Sequence, residues 1–87
     1  MDIKILKNEK NEIEAEIGNL TIAEILRSYL NKDNLVIFAA WKRKHPSENP
    51  ILLVKTKGKT AKKAINDAVA LIEKDANKFI SEFKKLK

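Results

Sequence analysis

The stretch "FAAWKRKHPSENP", Phe38 to Pro50, sets Trp41 before three consecutive cations, Lys42, Arg43 and Lys44, and then runs into His45-Pro46. Cations neutralise phosphates and an aromatic ring can stack on a base, so these residue types together could bind a single-stranded nucleic acid. Lys55, Lys57 and Lys59 follow on the next apolar segment, and a hairpin would gather all these cations near one edge. Two features weigh against base recognition. The stacking platform would be Trp41 alone, and strand alternation sends Lys42 and Lys44 to the face opposite Trp41 and Arg43. The same composition describes the end of a strand whose surface is solvated or covered by another protein.

Other candidate chemistry is sparse. Glu12, Glu14 and Glu16 share one strand face, where an acid/base pair can be imagined, but a solvated face near lysines of other strands explains them better. His45, the one histidine, has no neighbour in a metal-ligand spacing and precedes a proline, which suits a loop-shaping role. Gly18 and Gly58 are the only glycines, so no glycine-rich phosphate loop exists, and the lack of cysteine excludes thiolate metal sites and thiol catalysis. The expectation is a chain that is not an enzyme, with no catalytic residues, cofactor or metal.

The bulk composition agrees with a small folded unit. With 87 residues, 44% hydrophobic and 34% charged, the chain reads as a single domain over residues 1–87. A chain of this size buries only about 60–65% of the surface its unfolded form exposes, so a covering partner would add to its stability. The formal net charge of +6 favours acidic partners in general. The absence of cysteine, of a signal-peptide pattern and of any ~20-residue apolar span predicts a cytoplasmic protein with no membrane segment.

The elements that must position these residues follow from periodicity. "DIKIL" alternates and predicts a strand over about Asp2–Lys7; "NEKN" is a loop; "EIEAEIG" puts Ile13, Ala15 and Ile17 on one face. Thr21 and Glu24 have capping-box spacing, and Ile22, Ile25, Leu26, Tyr29 and Leu30 recur at helical spacing, which predicts a helix over roughly Ile22–Asn31 with Thr21 as its cap. "LVIFAAWKRK" predicts a third strand, Leu35–Lys44, with Leu35, Ile37, Ala39 and Trp41 on one face and Val36, Phe38 and Ala40 on the other. "HPSENP" is a loop, "ILLVKTK" a fourth strand over Ile51–Lys57, and "GK" a turn.

From Thr60 onward there is neither glycine nor proline. Ala61, Ile65, Ala68, Ile72, Ala76, Phe79, Phe83 and Leu86 mark one stripe of a helix about 26 residues and roughly 40 Å long, capped by Thr60. Lys84, Lys85 and Lys87 sit where the helix dipole favours cations. The fold expected is α+β in ββαββα order: an antiparallel four-stranded sheet with a short helix and a long C-terminal helix on one face. Strands of five to eight residues span roughly 17–27 Å, so the long helix overhangs its own sheet. Leaving Phe79, Ile80 and Phe83 wet forfeits about 1.5–3 kcal/mol each, which predicts a second copy or a homologous protein as cover.

These residues resemble a known family, archaeal RNA polymerase subunit L, related to the eleventh subunit of eukaryotic polymerase II and more distantly to the dimerisation domain of the bacterial alpha subunit. The similarity covers essentially the whole chain. "MDIKILKNEKNEIEAEI" looks like the family's opening hairpin, and "LTIAEILRSYL" stands in the place of its Asp-His-Thr-Leu-Gly-Asn-Leu-Leu motif. There Thr21 matches the Thr, Ile22 the Leu, Ile25 and Leu26 the final apolar pair, and Arg27 the Arg that often follows. "FAAWKRKHP" is similar to the family's Ala-Ala-Tyr segment ending in His-Pro, with Trp41 in the Tyr place, and "ILLVKTKGKTAKKAINDAV" to the strand, turn and helix start that follow. Asn19-Leu20 replaces Asp-His and Ala23-Glu24 replaces Gly-Asn.

The resemblance implies a noncatalytic assembly subunit of a DNA-dependent RNA polymerase. It implies a heterodimer with a D-like RNA polymerase subunit, formed through the two helices by Ile22, Ile25, Leu26, Ile72, Ala76, Phe79 and Phe83. That heterodimer would be the platform for the large catalytic subunits, with DNA met only through the complex. Arg27, Lys42, Arg43 and Lys44 would face a large subunit or, on the rival reading, nucleic acid. Two alternatives stand beside it: a stand-alone basic homodimeric module that binds RNA or DNA, and a diverged paralogue of subunit L with another partner.

Overall fold

A computed structural model describes residues 3–86, so the expectations placed on Asp2 and Lys87 lie outside the described residues. Six elements follow in the order ββαββα: β1 (Ile3–Glu9), β2 (Glu12–Ile17), α1 (Leu20–Leu30), β3 (Val36–Lys42), β4 (Ile51–Thr56) and α2 (Ala61–Lys84). The strands form one antiparallel sheet in the order β1-β2-β4-β3. β4 is thus inserted between β2 and β3, and α1 carries the chain across it in a split β-α-β crossover.

Alternation sorts the sheet into two faces. Ile13, Ala15 and Ile17 of β2, Ala39 of β3, and Leu52 and Val54 of β4 are buried, and with Ala23, Leu26, Leu30, Ala61, Ala64 and Ala68 of the helices they form the core. The other face carries the carboxylates of β2, where Lys7 donates to Glu12 at 2.6 Å and Lys55 lies 3.9 Å from it. The lysine pairing expected of Glu12, Glu14 and Glu16 is thus met at Glu12, whereas among the described residues Glu14 and Glu16 have no cation within 4.0 Å and Glu16 accepts from Asn49 at 3.5 Å.

Three local expectations are corrected. Thr21 is not the cap of α1. Asn19 is: its backbone is extended and its Oδ1 accepts from the Ile22 amide at 3.1 Å, so the helix starts at Leu20 and Thr21 lies exposed in its first turn. β3 is shorter than Leu35–Lys44, and its pairing with β4 shifts between Val36 and Phe38. That irregularity resets the alternation. Val36 opposes Thr56 and packs on the core with Ala39 and Trp41, while Ile37, placed on the inner face by strict alternation, is 63% exposed. β1 runs to Glu9, leaving Lys10 and Asn11 as the turn in place of a four-residue loop.

The start of α2 is fixed from several directions. Thr60 caps it, accepting from the Lys63 amide at 3.0 Å as expected. The Ala61 amide donates to the Lys10 carbonyl, and Asn11 Nδ2 donates to Thr56 Oγ1 and the Lys59 carbonyl, so the first hairpin's tip grips the β4–α2 turn. Gly58 makes that turn possible at φ 96°, and a Cβ there would stand 3.2 Å from Leu35 Cδ2. The Lys59 ammonium lies between Asp33 (2.5 Å) and Asp67 (2.8 Å), linking the α1–β3 loop to α2.

Candidate partner interface

α2 presents two faces that differ in side-chain size. Ala61, Ala64 and Ala68 are buried against the chain's own fold. Small residues let the helix axis come close, and the bulky residues are turned from them by only about a sixth of a turn at 3.6 residues per turn, so that Phe79 and Phe83 are set apart chiefly by lying further along the helix. Ile65 and Ile72 are only half-buried, and Val69 is exposed. From Glu73 onward every described residue is exposed, with Phe79 at 68% and Phe83 at 61%. The two rings stack on each other, centroids 6.2 Å apart at 23°. Ile80 and Leu86 extend the same apolar surface.

α1 lies beside it. The Tyr29 hydroxyl donates to Asp75 at 2.7 Å and ties the end of α1 to the middle of α2; that bond and burial both hold the Tyr29 proton on more firmly than usual. Of the predicted α1 contacts, Ile22 and Ile25 are half-buried and so offer part of their surface, whereas Leu26 is in the core. Of those on α2, Ile72 packs on the core's edge and Ala76, Phe79 and Phe83 are open.

Arg27 and the basic stretch are less free than the sequence suggested. The Arg27 guanidinium bonds Glu24 Oε1, and Trp41 Nε1 donates to Glu24 Oε2 at 2.6 Å. The arginine, then the indole, holds the Glu24 carboxyl down to about 2. Trp41 is half-buried and engaged, so it is not an open stacking platform. Arg43 lies 6.0 Å from the Trp41 ring centroid and donates to the Pro46 carbonyl at 3.1 Å. Lys42 and Lys44 are exposed, and Lys42 stands on the sheet face away from the helices, opposite Ile51. His45 is exposed in its loop, 3.9 Å from Glu48, and among the described residues no cluster of His, Cys, Asp and Glu could hold a metal ion. No helix among them is long and apolar enough to cross a membrane.

Comparison with known proteins bears on what such a surface is for. Residues 10–82 match the family model for the RNA polymerase Rpb3/Rpb11 dimerisation domain. The chain belongs to this family. It is 38% identical over 90 residues to DNA-directed RNA polymerase subunit Rpo11 of Sulfurisphaera tokodaii, covering 99% of this chain and 97% of the relative. It is 33% identical over 88 residues to the Methanosarcina mazei protein of the same name, covering 98% and 96%. The crystal structure of RNA polymerase subunit L from Thermoplasma acidophilum superposes with a TM-score of 0.85 at 30% identity, over 97% of this chain and 86% of that one.

The resemblance to the subunit L family seen in the sequence is therefore correct, and the ββαββα fold is shared with the Thermoplasma protein. What the chain matches is a dimerisation domain of RNA polymerase subunits, and it is not itself an enzyme. Within this Rpb3/Rpb11 domain, sequence reasoning passed over Val69, because the stripe was drawn through Ala68, which turns inward. It also passed over a second apolar patch, on the sheet face away from the helices. There Phe38, Ala40, Ile51 and Leu53 border a hollow of about 230 Å³ with Glu14 and Lys42. The signal was available: Phe38, Ala40 and Lys42 alternate opposite Trp41.

Proposed function

We propose that this chain is a noncatalytic assembly subunit of a DNA-dependent RNA polymerase, working in the cytoplasm as one half of a heterodimer with a D-like polymerase subunit. The heterodimer then serves as the platform for the large catalytic subunits. The observation that carries the reading is the open stripe on α2: Phe79 and Phe83 stand beyond anything the chain's own sheet covers. A pair of such large side chains is what a helix of a partner protein would bury, and membership of a dimerisation-domain family supports that use.

The test is a Phe79→Ala, Phe83→Ala double variant, co-expressed with the polymerase component that bears the companion domain. Truncating anchors at a well-packed interface centre costs about 2 kcal/mol or more, roughly a thirtyfold loss of affinity. The expected result is a variant that melts like the parent and no longer retains the partner. A variant that binds normally while its own fold collapses would show that the helix end lies back on its own sheet. The rival, a stand-alone nucleic-acid module, predicts tight sequence-selective binding by the isolated chain, lost on Lys42, Arg43, Lys44→Ala. The proposal predicts only weak salt-sensitive binding, around 10⁻⁴–10⁻⁶ M.

A further inference from the structure

The open stripe of α2 has a finer pattern than apolarity. Val69, Ile72, Ala76, Phe79, Phe83 and Leu86 are spaced three, four, three, four and three apart, the heptad seam of a helix that packs against another helix. The positions beside such a seam decide which helix is accepted. Here they hold Glu73, Ile80 and, by the same register, Lys87 on one flank and Asp75 and Glu82 on the other, whereas Lys74, Lys78, Lys84 and Lys85 take the outer positions. A chain of net charge +6 thus sets three carboxylates along the flanks of this exposed helical seam. Asp75 is engaged by the Tyr29 hydroxyl, and among the described residues neither Glu73 nor Glu82 has a cation within 4.0 Å.

We propose that the α2 seam is built for a helix of a different protein that carries Lys or Arg beside its own apolar stripe, and that the acidic flanks select it over a second copy of this chain. In an antiparallel self-pair like flanks meet, bringing Asp75 and Glu82 against their own copies. In a parallel self-pair Asp75 meets Ile80, and of the flanking carboxylates only Glu82 falls opposite a cation, Lys87 of the copy. Neither arrangement gives the carboxylates of the seam a full set of cations, and like-charge contacts suppress the wrong partner. The inference rests on the partner reading above and specifies the chemistry of that partner.

The experiment uses the full chain with the companion-domain protein of the same polymerase, measuring the dissociation constant at low and high salt. Glu73→Lys, Glu82→Lys is compared with Lys74→Glu, Lys78→Glu on the outer face. The acidic-flank variant should bind about tenfold more weakly at low salt, with most of the difference gone near 0.5 M, because exposed pairs are small individually and screened. The outer-face variant should stay within about twofold of the parent. Equal or tighter binding by the acidic-flank variant, an equal loss in the outer-face variant, or a parent that self-associates more tightly than it pairs would each overturn the inference. All four positions are exposed, and parent-like melting checks the fold of both variants. If Phe79→Ala, Phe83→Ala also abolishes pairing, the partner reading stands whatever the charges do. If it does not, both fall.

Discussion

The indole Nε1 of Trp41, on β3, donates to Glu24 on α1 at 2.6 Å, and Arg27 bonds the other oxygen of the same carboxylate. Three residues seventeen positions apart in sequence at most become one surface network across the helix–sheet boundary. This is why Trp41 stays with its own fold instead of presenting a ring to a base, and why Arg27 is held along α1.

The network has a pH signature. Arginine and indole hold the folded-state Glu24 carboxyl at about 2 against a usual 4.5. A depressed carboxyl contributes stability that is in place above about pH 4.5 and lost as pH falls toward 2. Glu24→Gln should therefore flatten part of the acid dependence of the thermal midpoint in that window and leave it nearly unchanged in shape above it. Midpoints taken stepwise from neutral pH to pH 2 decide this; parallel curves for parent and variant would remove Glu24 from the account.

The start of α1 gives a contrast between neighbours. Asn19→Ala removes the oxygen that satisfies the Ile22 amide and should cost about 0.5–2 kcal/mol. Thr21→Ala, in the exposed first turn, should be neutral or slightly stabilising, since alanine is the better helix former. Urea unfolding of the two variants side by side reads the difference, and a larger loss at Thr21 would move the helix start back to where the capping-box spacing suggested.

Lys59 is the cation shared by Asp33 and Asp67, and Lys63 pairs with Asp67 from the solvent side. Both aspartates are held below their usual range by it, and Lys59 is held above its own. Lys59→Met should lower the melting temperature more than Lys63→Met, because it leaves two neighbouring carboxylates to repel each other at the base of α2. Equal losses in the two variants would show that the bridge to Asp33 contributes nothing.

The element order and the long amphipathic helix were legible in the sequence because each rests on a strong period: two for β2 and β4, three-and-four for α2. What was not legible depends on tertiary choices. Asn19 and Thr21 are both cap-type residues two positions apart, and only the packing of Ala23, Leu26 and Leu30 decides which is used. Asn19 stands in the Asp place of the family motif, so that departure keeps an oxygen where the cap needs one. The phase reset at Val36–Phe38 leaves no compositional trace, since every residue around it is apolar. On α2, the exposure of Phe79 and Phe83 could be read from the overhang. The burial of Ala68 follows from its place on the stripe over the sheet, but that of Ala64 could not be read, because Ala64 lies off the stripe drawn through Ala61, Ile65 and Ala68.

That division of α2 into small residues for its own sheet and large ones for elsewhere has a consequence for the cell's supply of the chain. On the proposed pairing, a copy made in excess of its partner would keep Phe79, Ile80 and Phe83 in water as one contiguous apolar strip. Such strips are what chaperones, proteases and aggregates engage. Under that proposal the orphan would be marked by the surface it was meant to lose, and the number of surviving copies would be set by the number of companions waiting for them.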